Sequence, residues 1–427
     1  MTRLLVLVMF SSAAWAQLTP AETATNLASF EQVWRTVRDR HPDPKLNGLD
    51  WQAVHDEIRP RVAAAQSIGQ VRDALNSMVG RLGTSHYSVI PGDLYKPLEQ
   101  AAAESENSTP GVAVKIVDGK ALVGSVEPNS PAALAGIMPG MLLENINGES
   151  VAEVLKLAAA AGDQETQRQT GQALGKKLNG AKSAKVAVDV VDASGAKKHL
   201  ELDRAEPKGK LVTFGNLPEQ RVYFESRRLP GGAGYIHFNE FLDPVSIMPQ
   251  LETAMKEFAK APGIVLDLRG NPGGIGIMAM GVAGFFVSKQ GQKLGAMKMR
   301  DMTLKFAIYP RAEVYEGPLA ILVDGGSAST SEILAEGMRD LGRARIFGTR
   351  SAGAALPSDI VRLPNGDGFQ YAQASYTSEK GKVLEGAGVE PDEAVRETRE
   401  SLSAGRDPVA EAAEKWILGL SKGNRGR

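Results

Sequence analysis

The chain has 427 residues, 43% hydrophobic and 23% charged, which is more than one hydrophobic core usually organises and predicts roughly two or three domains. Its 49 basic and 50 acidic side chains leave a net charge of −1, which removes a general electrostatic drive toward nucleic acid or an anionic membrane. With no cysteine, a disulfide framework, a thiolate zinc site, an iron–sulfur cluster and a cysteine nucleophile are excluded, and five histidines leave few candidates for imidazole chemistry.

Met1-Thr2-Arg3 is a short cationic start, Leu4 to Phe10 is apolar, and Ala14-Trp15-Ala16 precedes Gln17. This pattern predicts a secretory signal peptide over residues 1–16, cut after Ala16, and hence an exported protein, periplasmic or secreted. No lipobox cysteine follows, and no other stretch approaches the ~20 apolar residues that span a bilayer, so no stable membrane insertion is expected.

A helical region is predicted over residues 17–100. Ser29 and Gln32 have the spacing of a capping box, and Phe30, Val33, Trp34 and Val37 recur on one face. His41-Pro42 stops that helix, Asp50-Trp51 opens the next, and a third through Val71, Leu75 and Met78 ends at Gly80. The segment Leu82-Gly-Thr-Ser-His-Tyr87 reads as a loop, and 101–108 as a surface connector.

Over 101–205 the chain turns β-rich. Short strands are expected at Val112 to Val117, Leu122 to Val126 and Met141 to Ile146. A hairpin follows at Lys185 to Val191 and His199 to Leu202, around Ser194-Gly195. Pro131 opens a short helix, where its missing N–H costs nothing, and Gly162 to Lys177 reads as another.

Residues 206–400 alternate strand and helix. Gly234 to Phe238, Ile264 to Leu268, Leu319 to Val323 and Ala344 to Phe347 are buried-strand runs. A helix carrying Val245, Met248, Leu251, Met255 and Phe258 follows the first, and a helix from Thr330 to Leu341 follows the third. This order predicts a largely parallel sheet with functional loops at the strand ends. Residues 401–427 read as a helix with a basic tail.

Three segments carry chemistry. In Val323-Asp-Gly-Gly-Ser-Ala-Ser-Thr-Ser-Glu332 a strand passes through small residues straight into a helix. A hydroxyl there lies beside unsatisfied helix N-terminal N–H groups that stabilise a developing oxyanion; alternatively, the hydroxyls cap the helix and Glu332 completes the cap. In Ile264-Val-Leu-Asp-Leu-Arg-Gly-Asn-Pro-Gly-Gly274 a strand ends in a glycine-rich turn that fits neither a phosphate loop nor a dinucleotide fingerprint, and Asp267 and Arg269 are suited to a bracing ion pair. The third is Ser85-His86, a histidine being the usual base for a serine nucleophile. No histidine pair has the i, i+4 spacing of a helical zinc motif, so neither a metal nor another cofactor is expected.

Taken together, Gly326-Ser-Ala-Ser-Thr-Ser-Glu332, Asp267-Leu-Arg-Gly-Asn-Pro-Gly-Gly274 and Gly388-Val-Glu-Pro-Asp392, in this order, resemble the S41 serine peptidases, the family of carboxyl-terminal processing and tricorn-type proteases. Residues 111–148 resemble the family's PDZ domain, and the likeness covers roughly 20–400. It implies a multidomain α/β protein: an N-terminal helical region, a PDZ-like β-rich domain, and an α/β core of the ClpP/crotonase-like kind at 206–400. By the family pattern Ser329 is the nucleophile. The lysine base of the processing branch has no counterpart, because Ala354 and Ser358 stand where its lysine and glutamine belong, and the Arg350 guanidinium does not deprotonate near neutral pH.

The tricorn-type pattern implies instead that His86 takes the proton of Ser329, with Ser85 and Glu385 orienting the histidine; Glu379 and Glu390 are rival carboxylates. Thr330 and one of Gly273 and Gly274 would supply the oxyanion hole. The PDZ likeness implies capture of a free carboxyl terminus near Gly111, Val112, Ala113 and Val114. The resulting expectation is a serine endopeptidase acting on unfolded or C-terminally presented polypeptides. The alternative is a non-catalytic peptide- or ligand-binding protein on the same scaffold.

Overall fold

A computed structural model describes residues 17–92, 108–159, 164–217 and 219–423, so the predicted leader at 1–16 and residues 101–107 of the connector lie outside the described residues. The first helix, Pro20–Arg40, begins nine residues before the expected cap. Thr19 and Glu22 form the capping box, with Thr19 N–H donating to Glu22 Oε2 at 2.8 Å. Ser29 is interior to the helix and donates to Thr25 O at 3.0 Å. Pro20 explains the shift, since its fixed φ and missing N–H suit the first helical position.

Pro20–Arg40 packs on Trp51–Ala63 and Ile68–Gly80 through Phe30, Val33, Ile58, Val71 and Leu75. The same core takes in Val89, Leu363, Phe369 and Tyr371, because strand Ser88–Ile90 pairs with the distant hairpin Ser358–Arg362/Gly368–Ala372. Asp367, at the hairpin turn, accepts from Arg72 at 2.8 Å and from Gly92 N–H at 2.7 Å. The Leu82–Tyr87 loop is thereby clamped onto the far end of the chain.

Residues 108–205 form a separate six-stranded antiparallel sheet in the order Val112–Val117, Lys120–Val126, Leu142–Ile146, Val186–Val191, Lys197–Leu202, with Glu149–Ser150 pairing to Leu142–Ile146. Helices Val151–Ala159 and Gln164–Leu178 accompany it, and Ser130 caps the short helix Pro131–Leu134. The module docks on the C-terminal segment, where Arg399 donates to the carbonyls of Gly140 and Asp192 (3.1 and 2.9 Å) and Lys115 pairs with Glu397 at 2.5 Å.

The third unit is an α/β sandwich. Its sheet runs Phe224–Arg228, Gly234–Phe238, Ile264–Asp267, Leu319–Val323, Arg345–Gly348, Glu393–Ala394, antiparallel at the first pair and parallel thereafter. Strand side chains alternate between two cores. Ile236, Leu266, Ile321 and Ile346 face helices Pro244–Glu257, Gly276–Ala283 and Thr330–Asp340, whereas Tyr235, Val265, Leu322 and Phe347 face helix Pro408–Gly423. Burial on both faces is what the continuous apolar runs require. One helical assignment is corrected: Val245 is 84% exposed, and Ile247, Leu251, Ala254 and Met255 form the buried stripe of Pro244–Glu257. At about 100° per residue, Val245 lies roughly 200° from Ile247 and points away. All four loops that follow the central parallel strands leave from one sheet edge, where α/β folds build their sites.

Candidate active site

Ser329 stands at the junction of strand Leu319–Val323 with helix Thr330–Asp340, at φ 52° and ψ −115°. That region costs an L-residue energy and persists only where the surroundings hold it. Here the Ser329 N–H donates to Ala354 O at 2.8 Å and to Glu332 Oε2 at 3.0 Å. The neighbouring hydroxyls are engaged elsewhere: Ser327 Oγ donates to Leu268 O at 2.7 Å and Ser331 Oγ to Asn271 O at 2.9 Å, both side chains being fully buried. The half-buried Ser329 hydroxyl makes no side-chain bond of this kind to the backbone of the glycine turn.

Glu332 does more than complete a cap. Fully buried, it accepts from Ser351 Oγ (2.5 Å), Gly353 N–H (2.8 Å) and Ala354 N–H (3.0 Å) as well as from Ser329. Burial raises its pKa, and these donors work in the opposite direction. The loop that lacks a lysine is thus pinned to helix Thr330–Asp340 through two backbone N–H groups and the Ser351 hydroxyl.

The glycine turn lies against Ser329. A methyl on Gly273 (φ 100°) would stand 2.8 Å from Ser329 Cβ, Ala328 O and Thr330 N. Gly273 N–H is already given to Asn271 Oδ1 at 2.9 Å, whereas the N–H groups of Gly274 and Thr330 donate to no protein atom among the described residues. The open donor pair is therefore Gly274 with Thr330, and the Thr330 hydroxyl ties the two segments by donating to Gly274 O at 2.8 Å. Asn271, which sequence reasoning missed, is completely buried and also donates to Phe238 O at 2.8 Å. Its signal was a lone amide side chain in an otherwise apolar, glycine-rich turn.

Asp267 and Arg269 form the expected pair, at 2.5 Å, and Arg269 also reaches Asp407 at 2.5 Å. Burial would raise the Asp267 pKa, but the adjacent guanidinium overrides it and holds the carboxyl well below its usual range.

The Ser85-His86 loop meets Glu385, 300 residues downstream: Ser85 N–H donates to Oε1 at 2.6 Å and Ser85 Oγ to Oε2 at 2.9 Å. Ser85 Oγ lies 2.6 Å from His86 Nδ1, and Ala355 N–H adds a donor to Glu385 Oε2 at 3.2 Å. Because the hydroxyl donates to the carboxylate, Nδ1–H is the partner it accepts from, which leaves Nε2 as a lone-pair acceptor. Burial pushes the His86 pKa down to about 4. The rivals lie elsewhere: Glu379 pairs with Lys293 at 3.3 Å, and Glu390 offers its carbonyl to Arg339 at 2.5 Å. His41, His55, His199 and His237 bond to Asp43 O, Glu31, Asp189 and Asp267 O respectively.

No hydrogen bond joins His86 to Ser329. The two are linked through adjacent residues of one loop, Ala354 on Ser329 and Ala355 on Glu385. Gly111 to Val114 lie apart from this site, at the edge of the 108–205 sheet. Gly111 N–H donates to Thr109 Oγ1 at 3.1 Å, and helix Gln164–Leu178 lies on the edge strand so closely that a methyl on Gly171 would stand 2.9 Å from Val114 O. Glu240, also missed, follows strand Gly234–Phe238 beside the glycine turn. Its side chain makes no hydrogen bond or ion pair with the described residues, and burial pushes its pKa up to about 7. No sequence pattern marks it.

A strained serine between a parallel strand and a helix, beside the unpaired N–H groups of Gly274 and Thr330, is an arrangement of the serine-hydrolase kind. Residues 232–395 match the family model for peptidase family S41, and residues 23–80 match that for the tricorn protease C1 domain. Over residues 232–395 the chain is thus similar to the S41 serine peptidases. It is 25% identical over 377 residues to carboxyl-terminal-processing peptidase 3, chloroplastic, of Arabidopsis thaliana, covering 87% of this chain and 69% of that protein. With the carboxy-terminal-processing protease of Bartonella bacilliformis it shares 25% identity over 83% of this chain and 76% of the relative. Among solved structures, the photosystem II D1 C-terminal processing protease superposes with a TM-score of 0.56 at 22% identity, covering 92% of this chain and 97% of that one. Mature CPAF gives 0.62 at 14%, covering 93% and 97%, which is likeness of fold.

Proposed function

We propose that this chain is an exported serine endopeptidase, freed of residues 1–16, that cleaves unfolded or C-terminally presented polypeptides. Ser329 Oγ attacks the peptide carbonyl, His86 Nε2 takes its proton and passes it to the leaving amine, and water then hydrolyses the acyl-enzyme with His86 again as base. Gly274 and Thr330 N–H groups hold the oxyanion; Gly273 contributes close approach. Ser85 and Glu385 are positioning residues that fix the histidine tautomer.

The observation that carries this reading is the Glu385–Ser85–His86 chain of hydrogen bonds at 2.9 and 2.6 Å, which frees Nε2 to act as a base where the lysine is absent. Catalytic contacts often close only around bound substrate, and adjacent residues of one loop tie Ser329, through Ala354 O, and the Ser85-His86 pair, through Glu385. The 206–400 unit is read as a ClpP/crotonase-like core and the 101–205 unit as a PDZ-like module that captures a chain terminus along Gly111–Val114, once helix Gln164–Leu178 gives way.

The test compares mature wild type with Ser329→Ala on an unfolded protein substrate. The variant is expected to lose at least about 10³-fold in kcat while keeping the same thermal melt. Equal cleavage by both proteins, or none by a folded wild type, overturns the reading; peptide binding without cleavage would favour the non-catalytic alternative.

A further inference from the structure

A cavity of about 550 Å³ opens beside the histidine relay. Thr84, Tyr87, Leu356 and Glu385, which flank or contact the Ser85-His86 pair, line it together with Lys298 and Arg300. We propose that this cavity is a substrate subsite for a carboxylate, either an acidic side chain or a free C terminus, with Lys298 and Arg300 setting that selectivity. The proposal rests on the peptidase reading above.

The charges around the cavity are unevenly spent. Its two carboxylates are already committed to donors of the protein: Glu385 to Ser85 and Ala355, and Asp43 to the N–H groups of Lys45 and Asn47 at 3.0 and 2.8 Å. His41, which also lines the cavity, is pushed toward its neutral form by burial. Lys298 is exposed and makes no ion pair. Arg300 has only carbonyl partners, Asp39 O at 2.8 Å and Arg38 O at 3.0 Å, at the end of helix Pro20–Arg40. Among the described residues neither cation forms an ion pair, although the Asp39 carboxylate, whose pKa is lowered first by its Arg38 hydrogen bond, lies near enough to Arg300 for that charge to lower it as well.

Two polar atoms of residues lining this cavity, Thr84 Oγ1 and Arg300 Nε, are also buried without a hydrogen-bond partner among the described residues. Native interiors leave few such atoms unmet, and they concentrate where a ligand completes the site. Position adds the second argument. Thr84 is two residues before His86, and Leu356 adjoins Ala355, whose N–H goes to Glu385. A group seated here lies beside the Glu385–Ser85–His86 relay. Tyr87, Leu356 and the prolines at 42 and 44 give apolar sides for a side-chain stem, and the cations receive its charged end.

The experiment measures binding to the Ser329→Ala protein by fluorescence anisotropy, so that it does not depend on turnover. The probes are labelled peptides of one unfolded sequence with Glu, Gln or Lys scanned through each position, and with the C terminus free or amidated. At one position, or at the free terminus, the carboxylate is expected to tighten binding about tenfold over its neutral counterpart at low salt. Adding Lys298→Glu, a change at an exposed side chain, should abolish or invert that preference. A positional Glu effect identifies a side-chain subsite, and an effect only of amidation identifies the terminus. Equal affinities across the set, a preference that survives Lys298→Glu, or no binding of any peptide overturns the proposal. Cleavage by the wild type is scored separately: selectivity without cleavage defeats the peptidase reading alone, and cleavage without selectivity defeats the subsite alone.

Discussion

His86 titrates far below an ordinary imidazole because burial pushes its pKa down to about 4. A base works in its deprotonated form, so the acid limb of kcat/KM should lie near pH 4, with activity level between about pH 5 and 7. A pH–rate profile whose acid limb sits near the ordinary value of about 6.5 would contradict this role. The same shift has a stability consequence of fixed sign. The folded pKa lies below the unfolded one, so neutral His86 contributes stability above about pH 6.5 that is lost as pH falls toward 4. Gly273 supplies a second test at this scale. Gly273→Ala forces a methyl to 2.8 Å from Ser329 Cβ and Thr330 N, at a φ of 100° that alanine tolerates poorly. The expected outcome is a kcat reduced by at least about 10²-fold, the scale of losing one oxyanion donor, with substrate binding to Ser329→Ala unaffected by the added change.

At the scale of elements, the loop over residues 351–354 and the nucleophile helix behave as one unit because a single buried carboxylate collects their donors. Glu332→Gln keeps the shape but replaces one acceptor oxygen with an amide that donates. Facing Ser329 N–H, Ser351 Oγ, Gly353 N–H and Ala354 N–H, it must leave at least one donor unmet. The cost is about 1–3 kcal/mol, measurable by urea denaturation, and activity should fall further than stability does because Ser329 loses its brace. These links were only partly legible in the chain. The strand–serine–helix junction shows plainly, since a buried run, small residues and a helix period are local patterns. That Asn271 occupies Gly273 N–H, and so leaves Gly274 as the open donor, depends on where a side chain folds back.

The whole molecule decides whether the histidine is present at all. His86 belongs to the first helical unit and Ser329 to the last, and the clamp between these units includes Arg72, Gly92 and Asp367, the last 1% exposed. Asp367→Ala removes the acceptor that Arg72 and the Gly92 N–H share, at a cost of about 1–3 kcal/mol. Hydrogen exchange should rise over residues 20–92 while the 232–395 core stays protected, and kcat should fall without any change at the site itself. Unchanged exchange in the helical unit would show that the clamp is dispensable.

The sequence by itself determined the mixed helix-and-sheet, multidomain character, the largely parallel core sheet, the serine at the helix junction, the glycine turn and the absent lysine. Each of these is written in periodicity, turn residues or a motif within a few neighbouring positions. Its errors were of one kind: the cap expected at Ser29 and the buried face that included Val245 both required knowing where an element starts or which way it turns. Tertiary structure alone decided that Glu385 rather than Glu379 or Glu390 meets Ser85, that Ser327 and Ser331 are spent on backbone carbonyls, and that Lys298 and Arg300 line a cavity with Thr84 and Glu385. Local patterns are set by the backbone's short-range preferences. Which of several equivalent side chains meet across 300 residues is set by how the packed cores dock.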